Sequence, residues 1–296
     1  MESDPMTSEI LAPFPWGERT YIMGIMNATP DSFSGDGLLK REDAVSQALN
    51  QAEGFLANGA DILDVGGEST RPGADTVSEV QELERVLPVI ASLRKKFPQV
   101  VISVDTYKAE VARQALDLGA DWVNDIWGFR ADPELAGVTA AHHAPVVLMH
   151  NRLKPGSAEV QARLGGHVVG VEYDDLIADI CNELLFSVGL AHEAGIPDEY
   201  IILDPGIGFG KTVEQNLELL DRMDEIKALG YPLLVGPSRK SFIGYTLDLP
   251  PEERVEGTAA AVALSIDRGA DIVRVHDVAV MSRVARMTDA VIRRKS

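Results

Sequence analysis

Short, continuously apolar runs recur along the chain: YIMGIM at 21–26, DILDVG at 61–66, VVISVD at 100–105, DWVND at 121–125, PVVLMH at 145–150, YIILDP at 200–205, PLLVG at 232–236 and DIVRVH at 271–276. A strand with one wet face alternates apolar and polar positions, whereas a strand covered on both faces reads as an unbroken run. These segments therefore predict buried parallel strands. Between them the period becomes helical, and in 41–59 it places Ala44, Ala48, Ala52, Phe55 and Leu56 on one face. Three helix-to-strand junctions nearly repeat, NGADILDV at 58–65, LGADWVND at 118–125 and RGADIVRV at 268–275. Each has a glycine where a helix ends in a left-handed residue before a buried strand begins. Strand–helix units without a composition break predict an α/β fold, a single-domain (β/α)8 TIM barrel with parallel strands over 1–296. Residues 1–18 read as a lead-in and 151–171 as a long insert after the fifth strand; a doubly wound open sheet is the alternative.

At 296 residues, 45% hydrophobic and 25% charged, the composition is that of an ordinary globular chain with ample core. A formal charge of −19 argues against nucleic acid or an anionic membrane as partner, because both demand a basic surface. An anionic substrate then requires a local cationic site. Cys181 is the only cysteine, which excludes an internal disulfide and a cysteine metal cluster, and its helical surroundings make it a small apolar core residue. MESDPMTSEI lacks the regions of a secretory signal, and no apolar run approaches the roughly 20 residues of a membrane span. The expectation is a cytoplasmic protein.

In a parallel barrel the substrate site is built at the carboxyl ends of the strands, so the residues that terminate each run are informative. Those ends are polar: Asn27, the GGESTRPGA segment, Asp105, Asn124 with Asp125, Met149 with His150, Asp204, GPSRKS, and Arg274 with His276. A single such residue is ordinarily a turn or cap, but the coincidence at every strand end exceeds that explanation. The segment DPGIGFGKT at 204–212 ends as a phosphate-binding P-loop ends. Only three residues separate Gly206 from Gly210, where that loop needs four, and the G-x-G-x-G spacing also fails the dinucleotide fingerprint.

Taken in order, NATPDSFS, GGESTRPGA, SVDT, ND, LMH, DPGIGFGKT, GPSRKSFIG and RVHDV resemble the motif series of the dihydropteroate synthases of the pterin-binding barrel family, over residues 20 to about 280. The resemblance implies a transferase that joins 6-hydroxymethyl-7,8-dihydropterin pyrophosphate to p-aminobenzoate, giving dihydropteroate and pyrophosphate in folate biosynthesis, and a homodimer. It assigns pterin binding to Asp105, Asn124, Met149, Asp204, Phe209, Gly236 and Lys240. It assigns p-aminobenzoate to Phe33, Thr70, Arg71, Pro72, Phe209, Ser238 and Lys240. Asn27, Arg71, Arg274 and His276 fall to the pyrophosphate, with Asn27 also giving an oxygen to Mg²⁺, and Asp31 arranges the first loop nearby. Asn27, Asp31, Asp105, Lys240, Arg274 and His276 form the implied catalytic set.

A carboxylate such as Asp204 can accept two donors from the pterin edge at once. Arg274 and His276, two apart on one strand, can face the same leaving group. In the sixth loop the glycines let the backbone and Phe209 approach substrate closely. Lys211 is read either as a source of positive field or as a solvated residue at a helix start. Two departures stand out: SFSGDG replaces the usual Asp-Gly-Gly after Ser-Phe-Ser, and the 151–171 insert is long. Its Arg152 and Lys154 either skirt the site or cover the rim. A methyltetrahydrofolate-dependent corrinoid methyltransferase or a non-catalytic pterin-binding paralogue are the rival readings. The first has no use for STRPG, SRK and the Arg274/His276 pair, and intact loops argue against the second.

Overall fold

Each of the eight apolar runs forms a strand, and the strands stand parallel around one interior. The computed structural model describes residues 14–28, 41–68, 77–153, 158–161, 163–168 and 171–294. The barrel strands are β1 (Tyr21–Asn27), β2 (Ile62–Gly66), β3 (Val101–Asp105), β4 (Trp122–Asp125), β5 (Val146–Met149), β8 (Ile201–Asp204), β9 (Leu234–Val235) and β10 (Ile272–Val275). A short antiparallel hairpin, β6 (Ala158–Gln161) with β7 (Gly165–Val168), lies within the long insert. Pairing runs β8-β5-β4-β3-β2-β1-β10-β9, and a parallel bridge between Leu203 and Leu233 joins the two ends of that order into a ring. The open-sheet alternative is thereby set aside.

Ten α-helices are described: α1 (Arg41–Ala57), α2 (Glu79–Lys96), α3 (Ala109–Asp117), α4 (Leu135–Ala141), α5 (Leu176–Glu193), α6 (Val213–Asp221), α7 (Met223–Lys227), α8 (Ser241–Leu247), α9 (Val255–Asp267) and α10 (Val278–Ile292). Along each strand, alternate residues serve two different cores. Leu63, Val65, Ile102, Val104, Leu148 and Leu203 pack outward under the helices. Ile62, Trp122, Val147, Ile202, Leu234 and Ile272 fill the barrel interior. That inner layer is sealed by the lead-in, where Phe14 stacks on Trp16 and meets Tyr21 edge-on with ring centroids 4.8 Å apart.

The three repeated junctions have one structural logic. Gly59, Gly119 and Gly269 adopt φ of +93°, +103° and +102°, the left-handed turn that ends a helix. Two residues on, an aspartate accepts a backbone N–H near the start of a neighbouring strand: Asp61 from Ile22, Asp121 from Ile102, Asp271 from Leu233. Each is also paired with a cation, respectively Arg19, Arg94 and Lys227. These acids lie at the amino ends of the strands and tie the barrel together there.

Candidate active site

The carboxyl ends hold a different set of acids. Asp64 projects inward from the middle of β2 and is 0% exposed. Its Oδ2 accepts Arg274 Nε at 2.6 Å and Asn124 Nδ2 at 3.1 Å, while Oδ1 is buried with no hydrogen-bond partner among the described residues. The same guanidinium donates through Nη2 to Asp105 Oδ2 at 2.5 Å. Asp105 is not a helix cap: the first N–H of α3 is taken by Asp132, and Asp125, not Asn124, makes the turn after β4 by accepting from Trp127 and Phe129. Asp204 closes the group from the end of β8, its Oδ1 accepting the Gly206 N–H at 2.7 Å.

This is a cluster of carboxylates around few cations in a desolvated interior. Burial pushes Asp105 up to about 7, opposed by Arg274 and aided by Asp64. Burial likewise raises Asp204 to about 6, against the Gly206 N–H and the charges of Lys240, Arg274 and Lys211. Arg274 itself is held more firmly protonated, the carboxylates of Asp64 and Asp105 outweighing its burial. A site with this much acid and an orphaned carboxylate oxygen is organised to receive hydrogen-bond donors.

The glycines of the sixth loop are required by backbone conformation and by close neighbours. Gly206, Gly208 and Gly210 all take positive φ, +70°, +82° and +64°. A Cβ at Gly206 would overlap the His150 carbonyl, one at Gly208 would lie 2.9 Å from Lys240 Cδ, and one at Gly210 would press on Arg152. Lys240 Nζ in turn stands 3.9 Å from the centre of the Phe209 ring. Lys211 is not solvated; it is 2% exposed and donates to His150 Nδ1, the Gly206 carbonyl and the Phe209 carbonyl. Thr212 then starts α6 with a capping box to Gln215. Met149, Phe209 and Ile126 form an apolar wall with Tyr107, Trp127 and Leu153 beside the acids.

The seventh loop is held from behind. Arg239, between Ser238 and Lys240, has φ of +56°, costly for a non-glycine residue. Three contacts hold it there: its N–H donates to Thr258, its guanidinium to Asp277, and its carbonyl accepts from Arg254 Nη1. Arg254 also donates to the carbonyls of Leu249 and Leu164, so the insert's hairpin braces this loop. Gly236 faces the Cβ of Arg274, and Ser238 Oγ lies 3.0 Å from His276 Nδ1. His276 directly follows the end of β10, two residues after Arg274.

Asn27 ends β1 in register with Gly66, half-buried. Asp31, Phe33, Thr70, Arg71, Pro72 and Lys154 lie outside the described residues. Both feet of the 69–76 segment are fixed: Lys108 Nζ reaches Glu68, Glu82 and the Val77 carbonyl, and Arg85 reaches the Gly67 carbonyl. Arg152 pairs with Glu183 and Asp179 and lies over the Tyr173 ring, so it covers the rim. Asp64 and Glu183, which the sequence reading did not name, lie beside these groups, and Lys211 and His150, named there without a settled role, meet at 2.9 Å. The inward spacing Ile62, Asp64, Gly66 was the available signal for the first of them.

Comparison with known proteins agrees with this geometry. The pterin binding enzyme family matches residues 23–276. A dihydropteroate synthase of Clostridium beijerinckii is 50% identical over 282 residues, 95% of this chain and 97% of that one. One of Bacillus subtilis is 50% identical, covering 93% and 90%. The solved dihydropteroate synthase of Clostridium difficile in the presence of pteroic acid superposes with a TM-score of 0.86 at 47% identity, covering 95% of this chain and 100% of that one. The chain is a member of the pterin-binding enzyme family.

Proposed function

We propose that this chain is a dihydropteroate synthase, condensing 6-hydroxymethyl-7,8-dihydropterin pyrophosphate with p-aminobenzoate. The observation that carries the reading is the buried acid layer of Asp64, Asp105, Asn124 and Asp204 around Arg274, on a chain half identical to enzymes of that name. A pterin edge offers an amino group and a ring N–H side by side, and a carboxylate at Asp204 accepts both. Asp105 and Asn124 serve other parts of the ring, and Lys240 reaches its carbonyl side. Met149 and Gly236 bound the pterin, and Phe209 closes over it.

The reaction is substitution at the exocyclic methylene. The carbon–oxygen bond to pyrophosphate breaks, its electron pair leaving with the phosphate, and the resulting pterin cation is spread over the ring. Asp105 stabilises that cation, as fixed charges do when they face developing charge. The amine lone pair of p-aminobenzoate then forms the carbon–nitrogen bond and gives up its proton. Arg274, His276 and Arg71 receive the departing charge; Phe33, Thr70, Pro72 and Ser238 enclose the benzoate; Asp31 arranges the first loop.

Asn27 fits a part in holding Mg²⁺, because it offers a neutral amide oxygen at the mouth. The described residues contain no group of three or more His, Cys, Asp or Glu fit to hold a metal. A cation there would be held chiefly by pyrophosphate oxygens and water, and bound Mg²⁺ would supply charge neutralisation for the leaving group. Leu264 on α9 and Met287, Val291 and Ile292 on α10 expose apolar side chains, which supports a homodimer; sedimentation would read it. No helix among the described residues is long and apolar enough to cross a membrane.

The decisive assay measures pyrophosphate release with and without p-aminobenzoate. Amine-dependent release with dihydropteroate formation is expected, and its absence would contradict the assignment.

A further inference from the structure

Lys211 is a buried cation with no part in the bond changes above. All of its hydrogen bonds go to neutral acceptors: the Gly206 and Phe209 carbonyls, each at 3.0 Å, and His150 Nδ1 at 2.9 Å. An ammonium buried among neutral partners is costly, and among the described residues no ion pair within bonding distance compensates it. Burial pulls Lys211 itself down to about 7, opposed by Asp204 from β8 and Glu183 from α5 and aided by Arg152 from the segment after β5 and Lys240 at the start of α8, so it carries its charge below that pH, where Asp204 titrates. His150 does not add a cation: burial and the Lys211 charge push it down to about 4, with Nε2 lying 3.1 Å from Glu183. The acid on the substrate side of this set is Asp204, two residues before the carbonyl that Lys211 grips.

We propose that Lys211 is a positioning residue for pterin recognition, locking the Gly206–Gly210 loop through its carbonyls and keeping Asp204 in the ionised form that accepts both pterin donors. The idea rests on Asp204 being the pterin acceptor. A protonated Asp204 would present a donor to the pterin's own N–H groups, so the acid has to stay charged although burial favours its neutral form. Gly206 N–H, Lys240, Arg274 and Lys211 oppose that tendency. Arg274 is shared with Asp64 and Asp105. Lys240 and Arg274 are also assigned to substrate, whereas Lys211 is engaged by His150 and the Gly206 and Phe209 carbonyls.

Calorimetric binding of 6-hydroxymethyl-7,8-dihydropterin, which has no phosphate, from about pH 5 to about pH 8 tests this against ordinary carboxylate titration. Wild-type affinity is expected to fall as the pH drops through the Asp204 range. Lys211→Met is expected to move that fall upward by about one pH unit, so binding near pH 6 weakens roughly tenfold more than binding near pH 8. Lys211→Gln, which keeps donors for the carbonyls but no charge, should reproduce the shift if Lys211→Met does not fold. Equal weakening at every pH would reduce Lys211 to a loop brace and overturn the proposal, as would a flat wild-type profile. Wild-type protein that binds no pterin at any pH would instead refute the functional assignment itself.

Discussion

The two ends of the barrel use the same side chain for opposite purposes. At the amino ends, Asp61, Asp121 and Asp271 each cap a neighbouring segment's N–H and each meets a cation. At the carboxyl ends, Asp64 and Asp105 share one guanidinium, Asp64 Oδ1 has no partner among the described residues, and burial pushes Asp105 and Asp204 toward protonation. The first arrangement is satisfied within the protein; the second leaves acceptor capacity open among the described residues. An aspartate is therefore read by which end of its strand it occupies and by how fully its oxygens are bonded.

The sharpest way to break the comparison is Asp204→Asn. Replacing one of two acceptor oxygens by a donor is expected to lower kcat/KM by about 10³-fold, in the range of losing one preorganised group. Steady-state turnover checks it. Next is Gly206→Ala, where a positive φ and the His150 carbonyl both refuse a Cβ. A loss of more than about 3 kcal/mol is expected in denaturant unfolding, together with loss of pterin binding. At the other end, Asp121→Asn weakens the contact to Arg94 and is expected to cost about 2 kcal/mol while kcat/KM of the folded protein is unchanged.

The smallest effect separates the ends by pH. Asp204 binds its proton more tightly folded than unfolded, so its contribution to stability is full below about 4 and is lost as pH rises through about 6. Asp204→Asn removes that loss, and its melting temperature at neutral pH is expected to exceed the wild-type value by the equivalent of about 2 kcal/mol. At acid pH the difference should vanish.

Much of this was legible in the chain. All eight strands were visible because burial on both faces erases polar alternation, and Asp105, Asn124 and Asp204 were visible because they terminate those runs. Asp64 was hidden by the same rule, lying inside a run where an acid looks like an interruption. The aspartates of the repeated junctions were seen only as companions of their glycines, since their N–H partners lie tens of residues away. Lys211 stayed open between a source of positive field and a solvated residue because a lysine before a capping threonine is ordinarily solvated; its burial depends on His150, supplied by another strand end. The hairpin's bracing of Arg239 through Arg254 had no local signal, because it joins three segments by backbone carbonyls.

The central claim is that a pterin sits in the acid layer at the carboxyl ends, with Asp204 as its fork. A crystal structure with 6-hydroxymethyl-7,8-dihydropterin pyrophosphate bound tests it directly. Both Asp204 carboxylate oxygens are predicted within about 3 Å of the pterin amino and ring nitrogens, the range of an N–H to oxygen hydrogen bond. A pterin bound elsewhere, with Asp204 facing only water, would contradict the account.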